Sequence, residues 1–257
     1  MVGVVAGPAT GDREEEVRRP RRGRTLTYLA RRPPVLMYHG VGRVSDDPFG
    51  LFLTPERLAR QMRTLDRLGL RGVSLSELED SVESGQAGGL VGLTFDDAYR
   101  DVLRFAVPIL ERHNFTATVF AVTGLLGSSN LWDPPPRRAL MTQEDLCDVA
   151  ARGFEVGSHG VSHIRMEGLD QEVLRREAED SRTALTGVTG EPPRSFCYPY
   201  GSVDAAAVSA VAAAGYSCAC AVWRVEDLPI HLTRPRVGVV ERDRGLRFIA
   251  KLFLRGR

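Results

Sequence analysis

Two short strings in this chain hold residue types that hydrolytic chemistry uses. Thr94-Phe95-Asp96-Asp97 offers two adjacent carboxylates, and Ser158-His159-Gly160-Val161-Ser162-His163 offers two imidazoles four residues apart. Together they can supply three ligands to an open zinc-type site, which binds three protein groups and keeps a position for water. One carboxylate is then left over as a base for the water's proton. Imidazole with carboxylate suits a borderline-soft divalent cation. The Asp pair ends an apolar run that starts at Leu90, where charge is costly unless it is paired or metal-bound. Each string alone has a plainer reading: helix capping by one aspartate, and a solvated turn carrying two histidines. The pair Asp46-Asp47 precedes Pro48 and reads as turn chemistry. A third string, Ser195-Phe196-Cys197-Tyr198-Pro199-Tyr200-Gly201, is an apolar run followed by Pro-Tyr-Gly. That step can aim a backbone N–H at a developing oxyanion, or can be an ordinary turn.

The elements that must position these strings follow a simple alternation. Apolar runs at 35–38, 90–95, 117–122, 195–198, 216–222 and 236–240 are strand candidates. Thr54 caps a helix with Pro55 in its first turn and Leu58, Met62, Leu65 and Leu68 at helical spacing, stopped by Gly69. Ser76-Glu77-Leu78-Glu79 reads as a capping box. A helix through Val102, Phe105, Ile109 and Leu110 is expected to kink or break at Pro108. Further helices are expected at 142–152, 170–185, 204–214 and 245–254. This is βα repeated about seven times, which implies a parallel sheet, closed into a barrel or doubly wound. All three strings follow strands, and sites in such folds gather at the C-terminal strand ends.

Composition excludes little beyond that. The chain has 257 residues, 43% apolar and 26% charged, with a net charge of +1. Nothing there points to nucleic acid or an anionic membrane, and no apolar run is long enough to span a bilayer. Residues 1–32 are rich in Gly, Pro, Arg and Glu and read as a solvated tail before one domain at 33–257. The first residues lack the basic and apolar regions of a secretory signal, so a cytoplasmic monomer is expected. Cys147, Cys197, Cys218 and Cys220 have no metal or disulfide spacing and read as buried thiols.

With the three strings in this order, the chain resembles the polysaccharide deacetylase family (carbohydrate esterase family 4, the NodB-homology domain), in its Tyr-Pro-Tyr-Gly branch. The resemblance runs from about residue 33 to 240. It includes Val35-Leu36-Met37-Tyr38-His39-Gly40-Val41 at the start and Ala213-Ala214-Gly215-Tyr216 late in the chain. It implies a distorted (β/α)7 barrel of the glycoside hydrolase/deacetylase type. It implies a hydrolase that removes N-acetyl groups from an amino-sugar glycan or its precursor and releases acetate. Asp97, His159 and His163 would bind Zn2+ or another divalent transition metal, and Asp96 would be the general base. The Tyr200 N–H would help hold the oxyanion. The same site could instead serve an O-acetyl ester or a non-sugar amide, and an inactive carbohydrate-binding barrel is the reading from another class.

This chain also departs from the family pattern. Ala98 stands where many members have glycine after the Asp pair, which strains the backbone if φ there is positive. Cys197 stands where many carry an arginine that orients the base. Arg236 is expected to take that role, with Arg194 as runner-up, because an adjacent guanidinium keeps a carboxylate ionised. Leu228-Pro229-Ile230-His231 has the spacing of the family's general-acid motif, so His231 is either that acid or a loop histidine. His39 is expected to line the cavity, and Trp132 to stack on a sugar face or to be packed in its loop.

Overall fold

The structure is a computed structural model and describes residues 33–253. The tail expected over residues 1–32 lies outside the described residues. In chain order the strands are β1 (Val35–Tyr38), β2 (Gly40–Val41), β3 (Phe52–Leu53), β4 (Arg71–Val73), β5 (Leu90–Phe95), β6 (Thr118–Ala121), β7 (Glu155–Ser158), β8 (Ser195–Cys197), β9 (Cys218–Cys220) and β10 (Val237–Gly238). The α-helices are α1 (Pro55–Arg67), α2 (Leu75–Glu83), α3 (Val107–Glu111), α4 (Gln143–Ala151), α5 (Gln171–Thr189), α6 (Ala205–Ala213) and α7 (Leu246–Lys251).

Seven strands make one curled parallel sheet in the order β10-β1-β5-β6-β7-β8-β9, and β4 pairs with the start of β5. The ring closes through residues 234–238. Arg234 pairs with Cys220 of β9 at one end, and Val237 pairs with Leu36 of β1 at the other. This is the distorted barrel that the resemblance implies, and one of the two forms that the alternation left open. β5 is buried at every residue, as a central parallel strand covered on both faces must be.

The N-terminal mouth of the barrel is plugged. α2 crosses it: Leu75 N–H donates to Thr118 Oγ1, Ser76 N–H donates to Glu155 Oε2, and Glu79 pairs with Arg234. All three partners sit at or near strand starts. Leu78 points inward, and a Cβ on Gly92 would stand only 3.0 Å from it. Higher in the barrel Phe120 fills the interior, and Gly157 must lack a Cβ because one would lie 2.6 Å from that ring. The barrel interior is therefore packed below its C-terminal mouth.

Several local expectations shift. The α1 cap is as expected: Thr54 Oγ1 accepts from Arg57 N–H at 3.3 Å, with Pro55 in the first turn. The second cap is Ser74, not Ser76: Ser74 Oγ accepts from Glu77 N–H, because the helix begins as soon as β4 ends. Pro108 does not break its helix. The ladder widens to a π-helical turn over Val102–Ala106, with Val107 N–H reaching back to Val102, and α3 continues through the proline. Asp47 accepts from the N–H groups of Leu51 and Phe52, which is turn chemistry as read. Cys147 is exposed, so the expectation of four buried thiols fails there: its helix turns that position outward.

Candidate metal and catalytic site

The Asp pair sits directly at the C-terminal end of β5. Asp96 N–H still donates to Tyr38 C=O at 2.9 Å, so the ladder holds that residue. The chain then turns through two left-handed residues, Asp97 at φ 71° and Ala98 at φ 51°. The positive φ at Ala98 is the strained case, costing on the order of 1 kcal/mol. The kink sends the two carboxylates different ways although both are 3% exposed.

Asp96 faces Arg236, which arrives as the last residue before β10. Nη1 donates to Oδ1 at 2.6 Å and Nη2 to Oδ2 at 2.8 Å, a bidentate buried pair. Burial alone would raise the Asp96 carboxyl, but the charge and hydrogen bonds of Arg236 overcome it and hold it well below the usual carboxylate range. Arg194 is elsewhere, forked onto Asp80 at the surface. His39, after β1, brings Nε2 to 4.0 Å from Asp96 Oδ2.

Asp97 faces the two imidazoles. Its Oδ1 lies 3.5 Å from His159 Nε2 and 3.3 Å from His163 Nε2. Yet that buried oxygen has no hydrogen-bond partner among the described residues. Three donor atoms thus converge without satisfying one another, which is the arrangement that a divalent cation would complete. The chemistry of the set fits the group. His159 Nδ1 lies 2.7 Å from Cys197 C=O and must donate to it, which leaves the Nε2 lone pair facing Asp97. His163 is oriented differently. Its Nδ1 has no partner among the described residues, and the ring is held between Trp132, stacked at 4.1 Å, and the edge of Tyr200 at 4.7 Å. Trp132 is therefore packed against a candidate ligand on one face.

The loop that carries both histidines is built by residues that the sequence reading missed. Glu177 of α5 is 5% exposed, and its Oε2 accepts from Val161 N–H at 2.7 Å and Ser162 N–H at 3.0 Å. Gly160, at φ 76°, leaves room for it: a Cβ there would stand 2.6 Å from that oxygen. The available signal was a glutamate on the apolar face formed by Leu174, Ala178, Ser181 and Leu185. Thr94 is the second omission. Its Oγ1 donates to Leu36 C=O and accepts from Arg236 Nη1 at 2.9 Å.

Tyr200 lies in the turn after β8 at φ 60°. The turn's own hydrogen bonds come from the N–H groups of Gly201 and Ser202. Tyr200 is 43% exposed, with the Arg165 guanidinium 4.5 Å above its ring. His231 is not brought to this group. It is exposed on the turn Ile230–Leu232, just before the residues that pair with β9, and makes no hydrogen bond or ion pair among the described residues.

A parallel barrel with a buried donor cluster and an arginine-held carboxylate in its open mouth is the architecture that these observations define. The sequence profile of the polysaccharide deacetylase family matches residues 84–219, and the chain belongs to that family. It is 23% identical to YxkH of Bacillus subtilis (strain 168) over 185 residues, which is 71% of this chain and 62% of that protein. The chain spans less than two thirds of the length of the curated relatives it matches. Among solved structures, the Streptococcus pyogenes deacetylase PplD in complex with acetate superposes with a TM-score of 0.75 at 21% identity, covering 85% of this chain and 97% of that one. IcaB from Ammonifex degensii gives 0.72 at 23% identity, covering 86% and 97%. At these identities the likeness is one of fold.

Proposed function

We propose that the protein is a metal-dependent deacetylase that hydrolyses N-acetyl groups of an amino-sugar glycan or its precursor and releases acetate. The observation that carries this reading is the division of the Asp pair. One carboxylate is locked on a guanidinium, and its neighbour has an unpartnered oxygen aimed at two imidazole nitrogens.

In this reading Asp97, His159 and His163 hold a divalent cation, Zn2+ or a similar transition metal. When bound, the cation supplies Lewis acidity toward a carbonyl oxygen and toward water. Asp96 takes the proton of the attacking water. It can do so because Arg236 keeps it ionised and fixes its position, leaving proton transfer as the step that it serves. The Tyr200 N–H, presented by the left-handed turn, donates to the oxygen that develops charge. Trp132 and Tyr200 wall the mouth around His163. His39 is the imidazole beside Asp96, and in this reading it takes over from the exposed His231 the role of proton donor to the leaving amine.

The test is metal analysis of the purified protein together with acetate release from a chito-oligosaccharide. The reading expects about one divalent ion per chain, lost in Asp97→Ala and kept in Asp96→Asn, with acetate release abolished in both. A protein that binds no divalent metal and releases no acetate overturns it. Turnover of an acetyl ester but not of the amide replaces the amide with the ester as substrate.

A further inference from the structure

We propose that Cys197 is a positioning residue for the base: its sulfur accepts the fifth N–H of the Arg236 guanidinium and so fixes the fork against Asp96. A guanidinium carries five N–H donors in a rigid plane and no acceptor. Here each one is accounted for. Nε donates to Ala221 C=O at 3.2 Å, and Nη1 donates to Asp96 Oδ1 and Thr94 Oγ1. Nη2 donates to Asp96 Oδ2 and, at 3.0 Å, to Cys197 Sγ. Arg236 is 2% exposed, so the interior offers no ready solvent to take over a dropped bond. A buried charged donor left unfilled is costly, and the fork would tilt toward another acceptor and draw the Asp96 carboxylate with it.

The sulfur also stands 3.7 Å from Asp96 Oδ2, on the edge where carboxylate and guanidinium meet. Tilting of the fork on that side is blocked by the thiol itself. The opposite side is held by Thr94, whose hydroxyl proton is committed to Leu36 C=O and whose lone pair therefore faces Arg236. The pair is thus clamped between two strands, β5 and β8. Residue 197 serves both halves of the site through different atoms. Its main-chain carbonyl orients His159, and its side chain orients Arg236. A side-chain replacement leaves the carbonyl in place, so the two roles can be separated.

The proposal rests on the deacetylase reading for its kinetic arm only; the spectroscopic arm needs no substrate. Cys197→Ala, which removes the acceptor, is expected to lower kcat about tenfold, the rate equivalent of one charge-assisted hydrogen bond, with KM and bound zinc unchanged. Cys197→Ser, which keeps an acceptor, should recover most of kcat. In spectra of protein carrying 15N-labelled arginine side chains, one Nη2 proton of Arg236 should shift and exchange faster in Cys197→Ala than in wild type or Cys197→Ser. Wild-type kcat with an unchanged Nη2 signal in Cys197→Ala overturns the proposal. So does an equal loss in both variants accompanied by loss of zinc, which would mean that the residue only fills space. If wild type releases no acetate at all, the deacetylase reading fails while the Nη2 signal still decides the role of Cys197.

Discussion

Replacing Arg236 with lysine keeps the charge and removes the fork. The guanidinium makes five hydrogen bonds, two of them to the Asp96 carboxylate. An ammonium has three donors and cannot present two parallel bonds to one carboxylate. Asp96 therefore keeps a single partner, and at least two bonds at the site are lost. A hydrogen bond to a charged group contributes about 1.5–3 kcal/mol, and the retained charge offsets part of the loss. A net deficit of about 2.7 kcal/mol at the base corresponds to about a hundredfold in rate. Because the role proposed for Asp96 is proton transfer and not ground-state binding, the loss should fall in kcat with KM nearly constant. The assay is steady-state acetate release from a chito-oligosaccharide, with urea unfolding run on the same preparations. Arg236→Met leaves a buried carboxylate without its partner and should also cost stability, about 3–5 kcal/mol. If Arg236→Lys turns over within about twofold of wild type, the bidentate pair does not set the rate and the assignment of Asp96 as an arginine-held base is wrong.

Three further outcomes are expected. Ala98→Gly removes a Cβ from a residue held at φ 51° and should stabilise the fold by about 1 kcal/mol, read as a rise in the urea midpoint; an unchanged or lower midpoint means that the turn is not strained. Asp101 is raised from 3.8 to about 6, by burial above all, against the Val41 N–H that donates to it. Between those values the folded chain keeps a proton that the unfolded chain has released, so wild-type stability falls as pH rises through that window. Asp101→Asn retains an acceptor without the charge and should be the more stable protein at pH 8, by about 1–2 kcal/mol, with the advantage vanishing toward pH 4; a pH-independent difference excludes this cause. Glu177→Ala unpins the N–H groups of Val161 and Ser162 and should weaken zinc binding about 10- to 100-fold with little change in overall stability; titration with a competing chelator measures it, and wild-type affinity would show that the loop holds its shape alone.

Much of the fold was legible because the barrel repeats a local pattern. The apolar run 90–95 is β5, residue for residue, and caps such as Thr54 and stops such as Gly69 mark helix ends by backbone chemistry that acts within one turn, whereas the helix expected to end at residue 185 runs on to Thr189 and stops at Gly190. The misplacements were also local. The cap at Ser74 rather than Ser76 depended on where β4 released the chain, and the helix passes Pro108 by way of a π-turn rather than breaking there.

The two strings by themselves determined that carboxylates and imidazoles stand at strand ends, since residue type and strand period fix that much. How the two carboxylates diverge was decided only in three dimensions. Two left-handed residues at 97 and 98 split the pair, and ring closure brought Arg236 to Asp96 across 140 positions in the chain. Glu177 lies in no motif, and the strings that contain Thr94 and Cys197 do not reveal what those two side chains touch. Their roles come from which buried donors lack a partner, and that is set by strand register and helix packing. The same register left His231 outside the cluster, although its spacing matched the family's motif: a motif records separation along the chain, while a proton moves across a distance that only the folded barrel defines.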